Sequence, residues 1–492
     1  MNGMNDGVLI VYTGGTIGSV HDNLNEPLSP LRPGTIEELL VAVPAINQDR
    51  IAFGDIEVRI GTIGFKPLLD SSNIGPKEWK DMALTINHNY EKYEGFVILH
   101  GTDTMAYTTS ALAFMLEHLN KPIIITGSQK PIGETRSDAV QNLVTAIEIA
   151  AAKSLGKTIV PEVCLFFRDT LLRGCRATKI SADAYTGFDS PNCPPLGIAG
   201  EHIEINKKLI RTPSKKKIKV NSKLETNIAA LDIFPGMSPT LLRNFLETEG
   251  LKGVVLKTFG TGNIPTYPEE ILDAIGDAVD NGIIVVDVIQ CLSGTVELGL
   301  YEVSAGLLER GVISGQDMTT EAALTKMAVL LADEEAQATP SALMRVNLCG
   351  EQDKSIFELD FEEGIANPDN TIYQQNRIEA PTYFNTEKIT NANLNILGFE
   401  LEGANSATVD LSVFIGDSSA NKDSPKKGSH YVPYKKIRWD GKTRSIFIDV
   451  TEPIKMHLDP TRRLPITIVS DSGHNVKWTK LKLLIFTEGV MI

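Results

Sequence analysis

The apolar residues in the first half of this chain fall in short, nearly unbroken runs. Val8–Tyr12, Phe96–Leu99 and Pro122–Thr126 are long enough for buried strands and too short for helices. Residues 57–69 contain a further strand, and residues 162–170 read as another. Between them lie stretches with helical character. Thr35 with Glu38 is a capping box that opens a helix ending by Pro44. Pro76-Lys77-Glu78-Trp79 is a helix start. The run AYTTSALAFMLEHL follows the second strand, and Ser137 or Asp138 caps a helix through Ala152. Strands alternating with helices predict parallel sheet.

The texture changes twice. Residues 206–224 are basic, lack strong periodicity and read as a linker. After it come strands near Ile228–Ile233, Val254–Lys257 and Ile283–Ile289, a helix at 269–279, and a last helix that Thr319 caps and Ala322–Ala332 continue. From 355 onward apolar and polar residues alternate (IFELDF, SIFIDV, LPITIVS), with Asn, Gly, Ser, Asp and Pro between the runs. That is an antiparallel β-sandwich or jelly-roll pattern. The expected organisation is an α/β lobe at 1–205, a linker at 206–224, a smaller α/β lobe at 225–354 and a β-rich domain at 355–492. Polar residues Gly350–Ser355 mark the last boundary. The β-rich domain carries no catalytic constellation, and a binding or oligomerisation module and an inert appendage stand as equal readings of it.

Chemistry concentrates where the strands end. Val8–Tyr12 stops at Thr13-Gly14-Gly15-Thr16-Ile17-Gly18. Neither GxGxxG nor a following Gly-Lys-Ser/Thr is present, so a phosphate loop is excluded. On this stretch alone, a plain turn and a threonine hydroxyl presented beside free Gly-Gly amides are both open. Phe96–Leu99 ends in His100-Gly101-Thr102-Asp103-Thr104, a second threonine with a carboxylate beside it. Ligands of open α/β sheets bind at such carboxyl ends. Asp70-Ser71-Ser72-Asn73, taken alone, reads first as capping chemistry. Residues 19–33, polar with three prolines, form a long loop of the lid type.

TGGTIG together with HGTDTM resembles the signature pair of the L-asparaginase/glutaminase family, in its type I, cytosolic-type bacterial form. Arg173-Gly174-Cys175-Arg176-Ala177-Thr178-Lys179 is a third match, and the resemblance spans roughly residues 7–354. It implies a two-lobed asparaginase-like α/β fold and hydrolysis of L-asparagine to L-aspartate and ammonia. Thr16 would be the nucleophile, with Thr102, Asp103 and Lys179 as a second hydroxyl–carboxylate–amine set. Asp70, Ser71 and Ser72, with Thr102 and Asp103, would hold the amino-acid end of the substrate. Ser128-Gln129 takes a scaffold role. The family's lid-loop tyrosine is missing, since no tyrosine occurs between Tyr12 and Tyr90. His21, Asp22, Glu26 and Ser29 stand there instead. Glu297 is the nearest match to an inter-subunit glutamate, and Thr178, Lys257 and Cys291 match an allosteric asparagine site. A lysine at 257 cannot grip a carboxylate bidentately, so at most weak cooperativity is expected. The alternatives are the glutamine-hydrolysing subunit of a tRNA-dependent amidotransferase and a non-catalytic binding protein on the same fold. The former carries an extra domain before the glycine loop, where this chain has only a few residues.

The remaining bounds agree. A net charge of −15 argues against nucleic acid as a partner, and the Lys215–Lys217 run reads as solvated linker. The five cysteines show no CxxC or metal spacing, which suits reduced thiols, and neither metal nor cofactor is expected. No secretory signal and no apolar span of membrane length occurs, so a cytoplasmic protein with no membrane partner is expected. The expected assembly is a homodimer or homotetramer.

Overall fold

The computed structural model describes residues 7–21, 31–43, 45–47, 49–154, 157–298, 302–333 and 339–361. Beyond these it describes 364–366, 372–377, 389–401, 407–409, 411–415, 430–433, 437–439, 444–457, 463–470, 476–478 and 480–488. The chain forms two compact units, Met1–Ile228 with Met318–Glu335, and Ala229–Asp317 with Ala336–Ile492.

The first unit is built on β1 (Gly7–Gly14), β2 (Ile56–Leu69), β3 (Gly95–Leu99), β4 (Ile123–Thr126), β5 (Val163–Phe167) and β6 (Thr170–Arg173). They sit in a ten-stranded sheet with the central order β6-β5-β4-β3-β1-β2. The pairs β2–β1, β1–β3, β3–β4 and β4–β5 are parallel. Every residue of β1, β3, β4 and β5 is buried, which is why their sequences show no polar alternation. Among its helices are α1 (Pro76–Asn89), α2 (Met105–Met115) and α3 (Ala139–Ala151). Leu143, Ala146 and Ile147 of α3 join Ile10, Val97, Ile124 and Phe166 in one core cluster. Each large aliphatic or aromatic residue there contributes about 1.5–3 kcal/mol of burial. The Thr35 capping box forms as expected, with Thr35 Oγ1 accepting from Glu38 N and Glu38 accepting from Thr35 N.

Three local expectations are corrected. Residues 162–170 are not one strand but a hairpin, because Arg168 adopts φ 59° and turns β5 into antiparallel β6. Asp138 occupies the cap position of α3 but makes no side-chain cap bond. Its carboxylate accepts from Gln129 N and Lys130 N, while Ser137 Oγ accepts from Ala139 N at 3.1 Å. Residues 206–224, read as the linker between lobes, are a strap bonded along this unit. Asn206 N donates to Leu196 O, Ser214 N to Leu119 O and Asn221 N to Met115 O. Lys219–Val220 pairs with Leu116–Glu117, and Glu117 accepts from both Lys219 and Asn221. Carbonyls left over past the end of α2 supply acceptors that sequence periodicity cannot reveal. The helix Thr320–Ala332, expected in the second lobe, belongs to this unit and packs on α2.

In the second unit β7 (Ile228–Asp232), β8 (Gly253–Thr258), β9 (Ile284–Ile289) and β10 (Ile313–Ser314) are neighbours in that order. The pairs β8–β9 and β9–β10 are parallel. Val254, Leu256, Ile275 and Val285 lie in its core. The β-rich region is antiparallel, as its alternation predicts. β13 (Lys480–Glu488) pairs on one side with β11 (Lys354–Phe361) and on the other with β12 (Ile389–Leu401). A four-stranded sheet accompanies it, formed by Ile372–Arg377, Leu411–Ile415, His430–Pro433 and Arg463–Ser470.

The join before β11 is the largest departure from expectation. Glu351, Gln352 and Ser355 have no exposed surface. The Glu351 carboxylate accepts from Leu348 N and Cys349 N. Gln352 Nε2 donates to Arg345 O and Lys354 O, and Ser355 Oγ accepts from Asn347 N at 2.8 Å. Because each buried polar group has a partner, the segment packs like core. Next to it Ile356 clusters with Leu308 and Leu484. Ser355→Ala should strand the Asn347 N–H and cost about 1–3 kcal/mol. Calorimetry of the full chain should show a lower Tm, and an unchanged Tm would remove Ser355 from this role.

Candidate active site

The site begins with backbone contacts that only glycine permits. β1 lies between β2 and β3, so the three strands deliver their carboxyl ends side by side. Gly14 (φ 122°) lies against Leu69, where a Cβ would collide with the carbonyl oxygen. Gly15 (φ 89°) lies against Gly101, where a Cβ would collide with backbone N and Cα. A Cβ on Gly101 would stand 2.6 Å from Ser71 Oγ. Thr13 Oγ1 donates to Leu99 O at 2.9 Å and closes the β1–β3 junction. Thr16 and Thr102 therefore each follow one of two glycines packed backbone to backbone.

Thr16 opens a short 3-10 turn, Thr16–Gly18, and is partly buried. Ser71 is buried; its Oγ accepts from Asp103 N at 3.3 Å, and its carbonyl accepts from Thr104 Oγ1 at 2.6 Å. The β2 and β3 loops are thereby locked together. Lys179 arrives from β6 through the turn Gly174–Arg176. Its Nζ donates to Thr102 Oγ1 at 3.0 Å and to Asp103 Oδ1 at 2.7 Å. The Lys179 side chain is 19 % exposed and that of Asp103 65 %, so the amine is sheltered and the carboxylate faces solvent. The β5–β6 hairpin is held by Arg173, whose Nε donates to Glu162 at 2.7 Å in a nearly buried pair. Burial pulls the Arg173 guanidinium pKa down, but the charge and hydrogen bond of that carboxylate together outweigh it and hold the value above the ordinary one.

Asp70 Oδ1 accepts from Ser72 Oγ at 2.6 Å and from Ser72 N at 2.8 Å. These two bonds, the hydroxyl first, hold its carboxyl below the usual carboxylate range. Beneath the β3 loop, His100 is fully buried. Its Nδ1 lies 2.6 Å from Gly101 O and its Nε2 2.8 Å from Thr108 Oγ1, which also accepts from Trp79 Nε1 at 2.9 Å. Burial pushes the imidazole pKa down to about 4.

The structure thus brings together Asp70, Ser71, Ser72, Thr102, Asp103 and Lys179, with Thr16 on the loop that packs against them. Sequence reasoning missed His100, Trp79 and Thr108; the only signal was a histidine inside an otherwise apolar strand end. Among the other expected positions, Thr178 Oγ1 donates to Glu321 Oε1 at 2.8 Å. Lys257 Nζ pairs with Asp232 Oδ1 at 2.8 Å, and Cys291 and Glu297 are exposed. Asp22, Glu26 and Ser29 lie outside the described residues, as does the side chain of His21.

A sheltered amine touching a threonine hydroxyl and a carboxylate, at the carboxyl end of a parallel sheet, marks an amidohydrolase. Residues 7–211 match the family described as "Asparaginase, N-terminal", and residues 227–344 the "Glutaminase/Asparaginase C-terminal domain". L-asparaginase 1 of Escherichia coli strain K12 is 40 % identical over 349 residues, covering 70 % of this chain and 97 % of that protein. The 60 kDa lysophospholipase of Homo sapiens is 40 % identical over 348 residues, covering 66 % of this chain and 57 % of that protein. The crystal structure of L-asparaginase I from Vibrio cholerae is similar with a TM-score of 0.62 at 38 % identity, covering 71 % of this chain and 99 % of that one. The chain belongs to the asparaginase family.

The Asp70 geometry carries a pH prediction. A depressed carboxyl pKa contributes stability that is present above the unfolded value and lost as pH falls through the folded value. Ser72→Ala removes the larger cause, so Asp70 should titrate at higher pH and this acid loss should begin earlier. NMR titration of the Asp70 carboxyl carbon measures it, and an unmoved midpoint refutes the assignment.

Proposed function

We propose that the chain hydrolyses L-asparagine to L-aspartate and ammonia with Thr16 as nucleophile. The contact of Lys179 Nζ with both Thr102 Oγ1 and Asp103 Oδ1 carries this reading. Thr16 Oγ attacks the side-chain amide carbon, and its proton passes toward the Thr102–Lys179 pair. The carbonyl oxygen becomes an oxyanion beside the Gly15 and Thr102 amides. When the C–N bond breaks, the departing nitrogen takes up the proton and leaves as ammonia. Water then attacks the acyl ester, with Thr102 and Lys179 receiving its proton, and aspartate is released with Thr16 restored. Asp103 offers its exposed carboxylate to the substrate ammonium, and Asp70, Ser71 and Ser72 complete the clamp.

The wider reading is a cytoplasmic homo-oligomer. None of the five cysteines forms a disulfide, and among the described residues no helix is long and apolar enough to cross a membrane. Phe234, Tyr267 and Leu292 of the second unit expose large apolar side chains suited to a second copy. Residues 355–492 act as an accessory module outside the chemistry. Lys257 is already paired with Asp232, which supports weak cooperativity at most.

Ammonia release from asparagine, from glutamine and from buffer alone tests the reading. Asparagine is the expected substrate; release from glutamine alone would point to an amidotransferase-type role, and none from either to a binding protein. Thr16→Ala should abolish turnover with the melting curve kept, and near-normal release from the purified variant would remove Thr16 from the mechanism. Lys179→Met should lose about a hundredfold or more in kcat, as for a proton-transfer group. A loss that only tracks the unfolded fraction would make Lys179 structural.

A further inference from the structure

The hydrogen bonds around His100 run in one direction. An indole N–H only donates, so Thr108 Oγ1 accepts from Trp79 and has its own proton to give. A backbone carbonyl only accepts, so the ring nitrogen facing Gly101 O carries a proton. The Thr108 proton then goes to Nε2, which is bare. The imidazole is the neutral Nδ1–H tautomer, and its burial keeps it neutral across the physiological range.

We propose that His100 is a positioning residue: by holding the Gly101 carbonyl it aims the Thr102 N–H at the oxyanion. The Gly101–Thr102 peptide is trans, so its C=O and N–H leave from opposite edges of one plane. With the carbonyl turned down onto the buried ring, the Thr102 N–H faces away from it. Among the described residues that N–H donates to no protein group, whereas the next amide, Asp103 N, is taken by Ser71 Oγ at 3.3 Å. The Gly101 backbone has little room to rotate, with the Gly15 backbone packed against it and Ser71 Oγ where a Cβ would point. A donor fixed before substrate arrives costs no reorganisation when charge develops. The inference rests on the asparaginase reading of the site.

The test uses the full chain. Long-range proton–nitrogen NMR on histidine-labelled protein should show His100 protonated on Nδ1 alone; an Nε2–H tautomer overturns the proposal. His100→Asn places an amide N–H where Nδ1–H stood and should keep kcat within about threefold. His100→Leu removes the donor and should lower kcat about 10- to 100-fold, below the full loss of an oxyanion donor, with KM held within about threefold. A kcat in His100→Leu within about threefold of wild type overturns it. If that variant does not fold, Thr108→Val, which frees the ring to take either tautomer, should lower kcat at constant KM, and an unchanged kcat overturns it. Wild-type ammonia release is read in parallel. Its absence defeats the asparaginase reading, while an active wild type with an unaffected His100→Leu defeats only the role of His100.

Discussion

The site depends on two backbones touching with nothing between them. Gly15 against Gly101, and Gly14 against Leu69, let three neighbouring strands end within one loop's width of each other. Everything else at the site is referenced to that contact. Thr16 and Thr102 follow the paired glycines, Ser71 bonds across to Asp103 and Thr104, and Lys179 reaches in from the β5–β6 hairpin. Any side chain at these glycines would push the strand ends apart before it altered any chemistry. The sheet supplies the rigidity to keep the contact, because the flanking strands are buried along their whole length.

Much of this was legible in the sequence because it was written locally. Val8–Tyr12 and Phe96–Leu99 could only be buried strands, and glycine-rich polar loops at their ends announced a carboxyl-end site. The capping box at Thr35 needs only four residues to be seen. Lys179 was different, since a lysine after a strand is ordinarily a solvated residue; only the family motif singled it out, and its bonds to Thr102 and Asp103 span 77 and 76 residues. The Trp79–Thr108–His100 chain was not legible at all. It joins three elements through single polar atoms, and no periodicity encodes such a meeting. The turn at Arg168 was hidden for a related reason, as its left-handed backbone sits at a residue type that rarely advertises it.

Residues 206–224 are basic and aperiodic, and backbone bonds to Leu196, Leu119 and Met115, which no side-chain pattern reports, tie them down. Gly350–Ser355 is polar and reads as linker, yet Glu351, Gln352 and Ser355 are buried because each finds a partner within a few residues. Polarity predicts exposure only for groups left unsatisfied, and short-range reciprocal bonding removes that condition.

That buried join bears on how such a chain can change over generations. Appending a β-rich region to an α/β unit through a loose tether is reversible, since a stop codon in the tether restores the ancestor. Here the Ser355 hydroxyl serves the Asn347 amide, and Ile356 shields Leu308. A deletion of the appended part would leave an orphaned donor and a bare apolar face behind it. Loss of the β-rich region would thus carry a stability penalty at the join that is independent of any part the region takes in turnover.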